Sequence, residues 1–367
     1  MLPRIPFDPA ELAVDTFYPP ARAGAAPTKK FAHPVSPKEN YMAVYDKNDM
    51  PLWIPNAYDK RTIAPRIDPD SIARVALSDE VPMSQEEIDV VATVGYKDKH
   101  GVTWVYVPQV SGSMVVPGSP MLEDANDWQE VVAFPDLDSW DWEGSIASNR
   151  PSLDADGRVI SGNIYTGFFE RLISLMDFDS AALALIDEDQ KDAVLALFDK
   201  LADLYIDMIA RFKKAYNPQV FVVHDDWGSQ RSPFFSLNTV MEMIVPALSR
   251  VTKAVNDNGM KFEMHSCGKN EMLVPAYIEA GVNMWNGQPM NDKEMLFEKY
   301  GDKIILGVDP DITMSAATPA EDCVAAAKRF VAKYGPQMEK KRFFMGAQAA
   351  PLAYVEAVYE ESRKLFS

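Results

Sequence analysis

The sequence predicts an α/β protein: a (β/α)8 TIM-type barrel with an N-terminal arm and a β-hairpin insertion in its first half. Three observations predict it. From about residue 160, short apolar runs suited to buried strands alternate with amphipathic helices, the order that parallel pairing requires. Five consecutive units of this kind occur, several of them about 20 residues apart. No Gly-rich phosphate fingerprint follows any strand, since Gly162, Gly167 and Gly228 stand singly. That disfavours the competing open sheet built around a dinucleotide or P-loop site.

The elements follow in order. Residues 1–50 are rich in proline and alanine and read as an extended arm ending in a short helix near Ser36–Val44. The arm is expected to pack on a single barrel domain, residues 51–367. Pro51-Leu-Trp-Ile-Pro55 reads as a first buried strand, and Thr103–Val107 with Ser113–Val116 as the hairpin. Trp128–Trp142 carries three tryptophans and reads as a cover. Glu188–Tyr216 is a long helix, because Val194, Leu197, Phe198, Leu201, Leu204, Tyr205 and Met208 recur at steps of three and four. Strands are expected at Gln219–His224, Lys261–His265, Val282–Trp285, Lys303–Leu306 and Arg342–Met345. The helices between and after them are Ser236–Asn256, Glu271–Ala280, Asp292–Tyr300, one opened by a Thr318-Pro-Ala-Glu321 capping box, and Leu352–Leu365.

Composition bounds the function. The chain has 367 residues, with 36 Lys and Arg against 54 Asp and Glu, a net charge of -18. Such acidity argues against nucleic acid or an anionic membrane as partner, which reward a basic face. A small anion held by Lys60, Arg61 and Arg66 stays open. The two cysteines, Cys267 and Cys323, make no disulfide framework and suit a reducing compartment. The first residues lack the apolar stretch of a signal peptide, and no run of about 18 apolar residues occurs, so a cytoplasmic protein is expected.

Barrel chemistry gathers where strands end and loops begin. Those places read Asn56; His224, Asp225 and Asp226; His265 and Cys267; Gln288; Asp309; and Gln348. Polar groups at buried strand ends cost free energy unless paired or used. The sharpest signal is Glu263-Met-His265-Ser-Cys267-Gly268-Lys269. Side chains two apart on a strand point the same way, so His265 and Cys267 both face the mouth. Imidazole with thiolate is half of a zinc site. A buried histidine beside an inert thiol and a Cys/His nucleophile pair are the alternatives. Cys323, in phase with Ala327 and Phe330, reads as core. Asp225 and Asp226 offer acid–base, metal-binding or turn-capping roles, while His33 and His100 lie in polar loops and carry no signal.

Asp225-Asp226-Trp-Gly228-Ser-Gln230, His265-Ser-Cys267-Gly268, Gly307-Val-Asp309-Pro310 and Thr318-Pro-Ala-Glu321 occur in that order. The order resembles the uroporphyrinogen decarboxylase superfamily over roughly residues 160–367. The resemblance implies the (β/α)8 fold. The Arg-rich motif of the cofactor-free decarboxylases is absent from Ile54–Arg61. The branch matched by His265, Cys267 and Gly268 contains zinc-dependent methyltransferases that work with a corrinoid. This implies zinc held by His265 and Cys267, and a methyl group passed between a small-molecule donor, read here as O-methylated and possible as an aromatic, and a cobalamin-type corrinoid on a partner protein. It also allows a homodimer. The third ligand of that branch is a cysteine in the last strand-end loop, which here reads Phe344-Met-Gly346-Ala-Gln348. Glu263, Asp226, His224, Asp309 and Gln348 are the candidates to replace it. Asp226, Asp225, His224, Gln288 and Asp309 are the candidate catalytic set. A decarboxylase or lyase, and a non-catalytic ligand-binding barrel, are the alternative functions.

Overall fold

The computed structural model describes residues 1–14, 16–18, 28–63, 95–107, 112–154, 156–346 and 350–367. Gln348 and Arg66, both singled out above, lie outside them.

The arm opens with a two-strand antiparallel ribbon, β1 (Phe17–Tyr18) and β2 (Thr28–Lys29), followed by helix α1 (Pro37–Ala43). Ser36 caps α1 and Glu39 returns the bond to the Ser36 N–H. The arm is fastened to the last helix by Arg363, which is fully buried and donates to both carboxylate oxygens of Glu11 at 2.8 and 2.9 Å.

The main sheet has seven parallel strands: β3 (Lys60–Thr62), β7 (Val159–Ile164), β8 (Val220–His224), β9 (Lys261–Ser266), β10 (Met284–Gly287), β11 (Ile305–Val308) and β12 (Phe343–Met345), neighbours in that order. It curls into a half-barrel surrounded by helices. The curl brings β12 back to the chain ahead of β3 through one parallel bridge, Asn56 to Met345, and a 2.9 Å bond from Met345 N–H to the Pro55 carbonyl. The wall is therefore TIM-like without being fully closed. The hairpin is present as β5 (Thr103–Val107) with β6 (Gly112–Val115), extended by a short β4 (Tyr96–Lys97) into a three-stranded antiparallel sheet.

The helices that bear on the site are α2 (Trp128–Val131), α3 (Trp142–Asp154), α4 (Phe168–Met176), α5 (Phe178–Ala184) and α6 (Lys191–Tyr216). They continue with α7 (Leu237–Met243), α8 (Val245–Asp257), α9 (Val274–Glu279), α10 (Lys293–Tyr300), α11 (Ala320–Tyr334) and α12 (Leu352–Phe366). The predicted apolar face of α6 is buried: Val194, Leu197, Phe198 and Leu201 are fully enclosed. Cys323 is core, as read from its phase with Ala327 and Phe330.

Four expectations are corrected. Pro51–Pro55 is buried but is not a strand. The N–H groups of Leu52 and Trp53 donate to Asn40 Oδ1 and that of Ile54 to Ser362 Oγ, so side chains take the donors a ladder would need. The helix expected over Ser236–Asn256 breaks at Ile244, because Pro246 follows and has no N–H for the preceding turn. The Thr318 capping box does not form: the Thr318 hydroxyl accepts from Ser315 N–H, and Pro319 takes the cap position without a side-chain bond. Finally, β10 and β11 start two residues later than expected, at Met284 and Ile305.

Candidate functional site

The register of the parallel strands sorts the interior into levels. His224 lies directly opposite His265, and His265 opposite Asn286. Side chains two apart share a face, so Val222, Glu263 and Met284 form the level below.

The lower level is closed. Glu263 is 2 % exposed. One of its oxygens accepts from the hydroxyls of Tyr41 and Tyr45, both at 2.6 Å, and the other pairs with Lys60 Nζ at 2.5 Å. Tyr41 and Val44 of the arm pack there with Val159, Val220, Val222, Met284 and Phe344. Burial together with the adjacent carboxylate pushes both tyrosine hydroxyls far above their ordinary range, so they stay protonated donors. Glu263 is thus committed to Lys60 and the arm.

The upper level is different. Asp226, His265 and Cys267 bring one oxygen, one nitrogen and one sulfur within 4.8 Å of one another at the end of β8 and β9. His265 Nδ1 lies 3.0 Å from the Asn286 carbonyl, which only accepts, so Nδ1 carries a proton. That Nε2 sits 3.5 Å from Cys267 Sγ. Gln288 Nε2 donates to the same sulfur at 3.3 Å. Asp226 Oδ1 accepts from Cys267 N–H at 2.6 Å, which ties the two strand ends together.

The turn after β9 is fixed from several sides. Gly268 has φ +90°, and a Cβ there would overlap the carbonyl of Gly228. Gly268 N–H donates to Gln288 Oε1 at 2.9 Å, and Asn291 Nδ2 donates to the Gly268 carbonyl at 2.9 Å. Asn270 Nδ2 donates to the Cys267 carbonyl at 2.6 Å and to Ser266 Oγ at 2.7 Å.

The remaining predicted residues divide. Asp225 is buried, and its two oxygens accept from Phe169 and Glu170 N–H at the start of α4. Desolvation raises it to about 6 against those bonds. It caps a helix, and the turn after β8 is tied instead by Ser266 Oγ, which accepts from Trp227 N–H. His224 lies beside the trio, its ring 5.4 Å from that of His265 and 5.2 Å from that of Tyr165. Asp309 stands two strands away from His265 and pairs with Lys293 Nζ at 2.8 Å. Two members of the expected small-anion cluster are paired, Lys60 with Glu263 and Arg61 with Asp156 at 3.3 Å. Five of the seven tryptophans, Trp53, Trp104, Trp140, Trp227 and Trp285, are buried in the core. His100, read as carrying no signal, is 5 % exposed and bonds the Ala133 carbonyl at 2.8 Å.

Sequence reading missed Asn286, Tyr165 and Lys293. Asn286 was within reach, being two residues before Gln288 on one face of β10. Lys293 gave no signal, since lysine opening a helix ordinarily faces water.

No protein-family model matches the sequence, and no curated protein does. Among solved structures, a methyltransferase from Methanosarcina mazei aligns with a TM-score of 0.60 at 15 % identity, over 91 % of this chain and 100 % of that one. The two share a fold. An intracellular xylanase from Thermoanaerobacterium saccharolyticum and a xylanase from Paenibacillus barcinonensis align at a TM-score of 0.35, with 13 % and 11 % identity, over 57 % and 64 % of this chain and 72 % and 87 % of theirs. No helix among the described residues is long and apolar enough to cross a membrane.

Proposed function

We propose that the chain is a methyltransferase of a corrinoid system. It would hold zinc on Asp226, His265 and Cys267 and move a methyl group from an O-methylated small molecule to a corrinoid carried by a second protein. The observation that carries the reading is the convergence of the three donors at the mouth of the half-barrel, with His265 Nδ1 turned to the Asn286 carbonyl and Nε2 toward Cys267 Sγ. The donor set fits the ion. Tetrahedral zinc with ordinary bond lengths would separate a nitrogen from a sulfur ligand by about 3.5 Å, and Nε2 and Sγ stand 3.5 Å apart. Zinc would supply Lewis acidity toward an ether oxygen.

The chain's own residues prepare that chemistry. Asn286 fixes the tautomer and tilt of His265, as outer partners of metal ligands do. Gln288 donates to the Cys267 sulfur and, through Gly268 N–H, holds the turn that carries it. Asp226 replaces the cysteine of the resembling branch with a harder oxygen donor, which suits an ether over a thiol. Asp225 keeps α4 in place below the site. The shared fold with a methyltransferase supports the reading, and the resemblance at His265-Ser-Cys267-Gly268 supports the metal and the corrinoid. A cytoplasmic location and a homodimer accompany it.

The test is methyl transfer from methoxybenzenes to Co(I) corrinoid, followed by the corrinoid absorption spectrum. Turnover that needs zinc and is lost in Cys267→Ala supports the proposal. Turnover unaffected by chelator and by Cys267→Ala would reject it.

A further inference from the structure

Lys293 opens α10 but turns inward. Its side chain is 6 % exposed, and its ammonium finds Asp309 Oδ2 at 2.8 Å and Asn286 Oδ1 at 3.5 Å. An ammonium has three N–H bonds to place, and among the described residues it has one strong acceptor and one long contact. Burial lowers its pKa, and the Asp309 charge works against that. Asp309 is unfinished in the complementary sense. Its Oδ1 is buried and has no hydrogen-bond partner among the described residues.

Gly346, lacking a side chain, lets the backbone pass close to this pair. A Cβ on Gly346 would lie 2.7 Å from Asp309 Oδ1 and 3.1 Å from Lys293 Nζ. A cavity of about 430 Å³ reaches the pair and is also lined by Pro289, Asn291, Pro310 and Tyr334. That is room for a small molecule. The pair also neighbours the metal trio through one residue. Asn286 contacts Lys293 with its side chain and holds His265 with its carbonyl.

We infer that Lys293 and Asp309 form a hydroxyl-binding anchor that holds one end of a small alcohol or phenol at the end of β11, two strands from His265. A hydroxyl both donates and accepts. It gives its hydrogen to Asp309 Oδ1 and takes one from the Lys293 ammonium, which completes both groups. A bare carboxylate on the ligand would meet the Asp309 charge, and an ammonium would meet that of Lys293. In calling the held molecule the substrate, the inference rests on the methyl-transfer reading above. The hydroxyl site itself does not.

The test is calorimetric titration of the full-length protein with 2-methoxyphenol and with 1,2-dimethoxybenzene, which differ by methylation of one hydroxyl. Zinc is measured on the same samples. Hydrogen bonds to charged groups predict that the wild type binds 2-methoxyphenol at least about tenfold more tightly. In Asp309→Asn the amide nitrogen takes the place of Oδ1 and cannot accept. In Lys293→Met/Asp309→Leu the pair is removed without stranding a charge. Both variants should bind the two compounds within about twofold of each other and keep the wild-type zinc content. If either variant fails to fold, the other decides. No preference in the wild type, no binding of either compound, or a preference that survives in a folded variant would overturn the anchor. Absence of zinc with the preference intact and lost in the variants would support the anchor and remove the methyl-transfer reading instead.

Discussion

Strand β9 carries two polar levels only two residues apart, at Glu263 and at His265, and they have opposite fates. At the lower level Glu263 is 2 % exposed and all its strong contacts are filled, by Tyr41, Tyr45 and Lys60. At the upper level His265, Cys267 and Asp226 bring a nitrogen, a sulfur and an oxygen within 4.8 Å of one another. Both levels are polar groups inside a half-barrel, where polarity is costly. The lower one is balanced within the chain and so reads as structure. The upper one gathers three different ligand atoms at one point, and that convergence, more than residue type, marks it as the candidate site.

Variants can break this contrast. The largest stability loss is expected from Lys60→Met, which strands the buried Glu263 carboxylate. Removing one member of a buried pair costs about 3–5 kcal/mol. Urea unfolding should show it, while the zinc content of the folded protein stays unchanged. Zinc lost along with Lys60 would mean the two levels are not independent.

Gly268→Ala comes next. Its φ of +90° and the nearby Gly228 carbonyl leave no room for a Cβ. Backbone strain alone is worth about 1–3 kcal/mol, and Cys267 would be displaced with it. Both unfolding free energy and metal affinity should fall. A variant equal to wild type in both would show that the turn does not hold Cys267.

A smaller effect is expected at Gln288. Replacing it with leucine removes the donor to Cys267 Sγ and the acceptor for Gly268 N–H. Loss of such an outer partner weakens metal binding by roughly 10–100-fold. Competition with a chromogenic chelator would measure it, and an unchanged affinity would make Gln288 a bystander.

The smallest effect lies in the arm that carries the lower level. His33 stacks on Trp53, ring centroids 4.5 Å apart. Desolvation lowers it to about 4, with Arg363 and Lys30 acting in the same direction and Glu11 against them. Its folded pKa is below its unfolded one. The stability it contributes is therefore full above about 6.5 and is lost as pH falls toward about 4. His33→Phe should reduce the drop in melting temperature between pH 7 and pH 4 by about 2–4 °C. An identical drop in both proteins would place the acid sensitivity elsewhere.

The contrast was only half legible in the sequence. That His265 and Cys267 share a face follows from strand periodicity, and the order of strands and helices after residue 160 follows from apolar spacing. Glu263 has the same parity and so looked like a third ligand. What removes it is Tyr41, 222 residues earlier in the chain, and no local pattern announces that contact. Asp225 and Asp226 are adjacent and alike. Only the packing of α4 onto the end of β8 decides that Asp225 caps a helix and Asp226 meets Cys267. Pro51–Pro55 read as a strand because it is apolar, and it is buried as expected. Asn40 and Ser362, distant in sequence, take the backbone donors that would have made it one.

The central claim is that the upper level binds a metal and the lower level does not. Elemental analysis of wild type, His265→Ala/Cys267→Ala and Glu263→Gln, each purified without chelator, tests it directly. The account predicts about one zinc per chain in wild type and in folded Glu263→Gln, and none in the double variant. Equal metal in all three, or none in any, would contradict it.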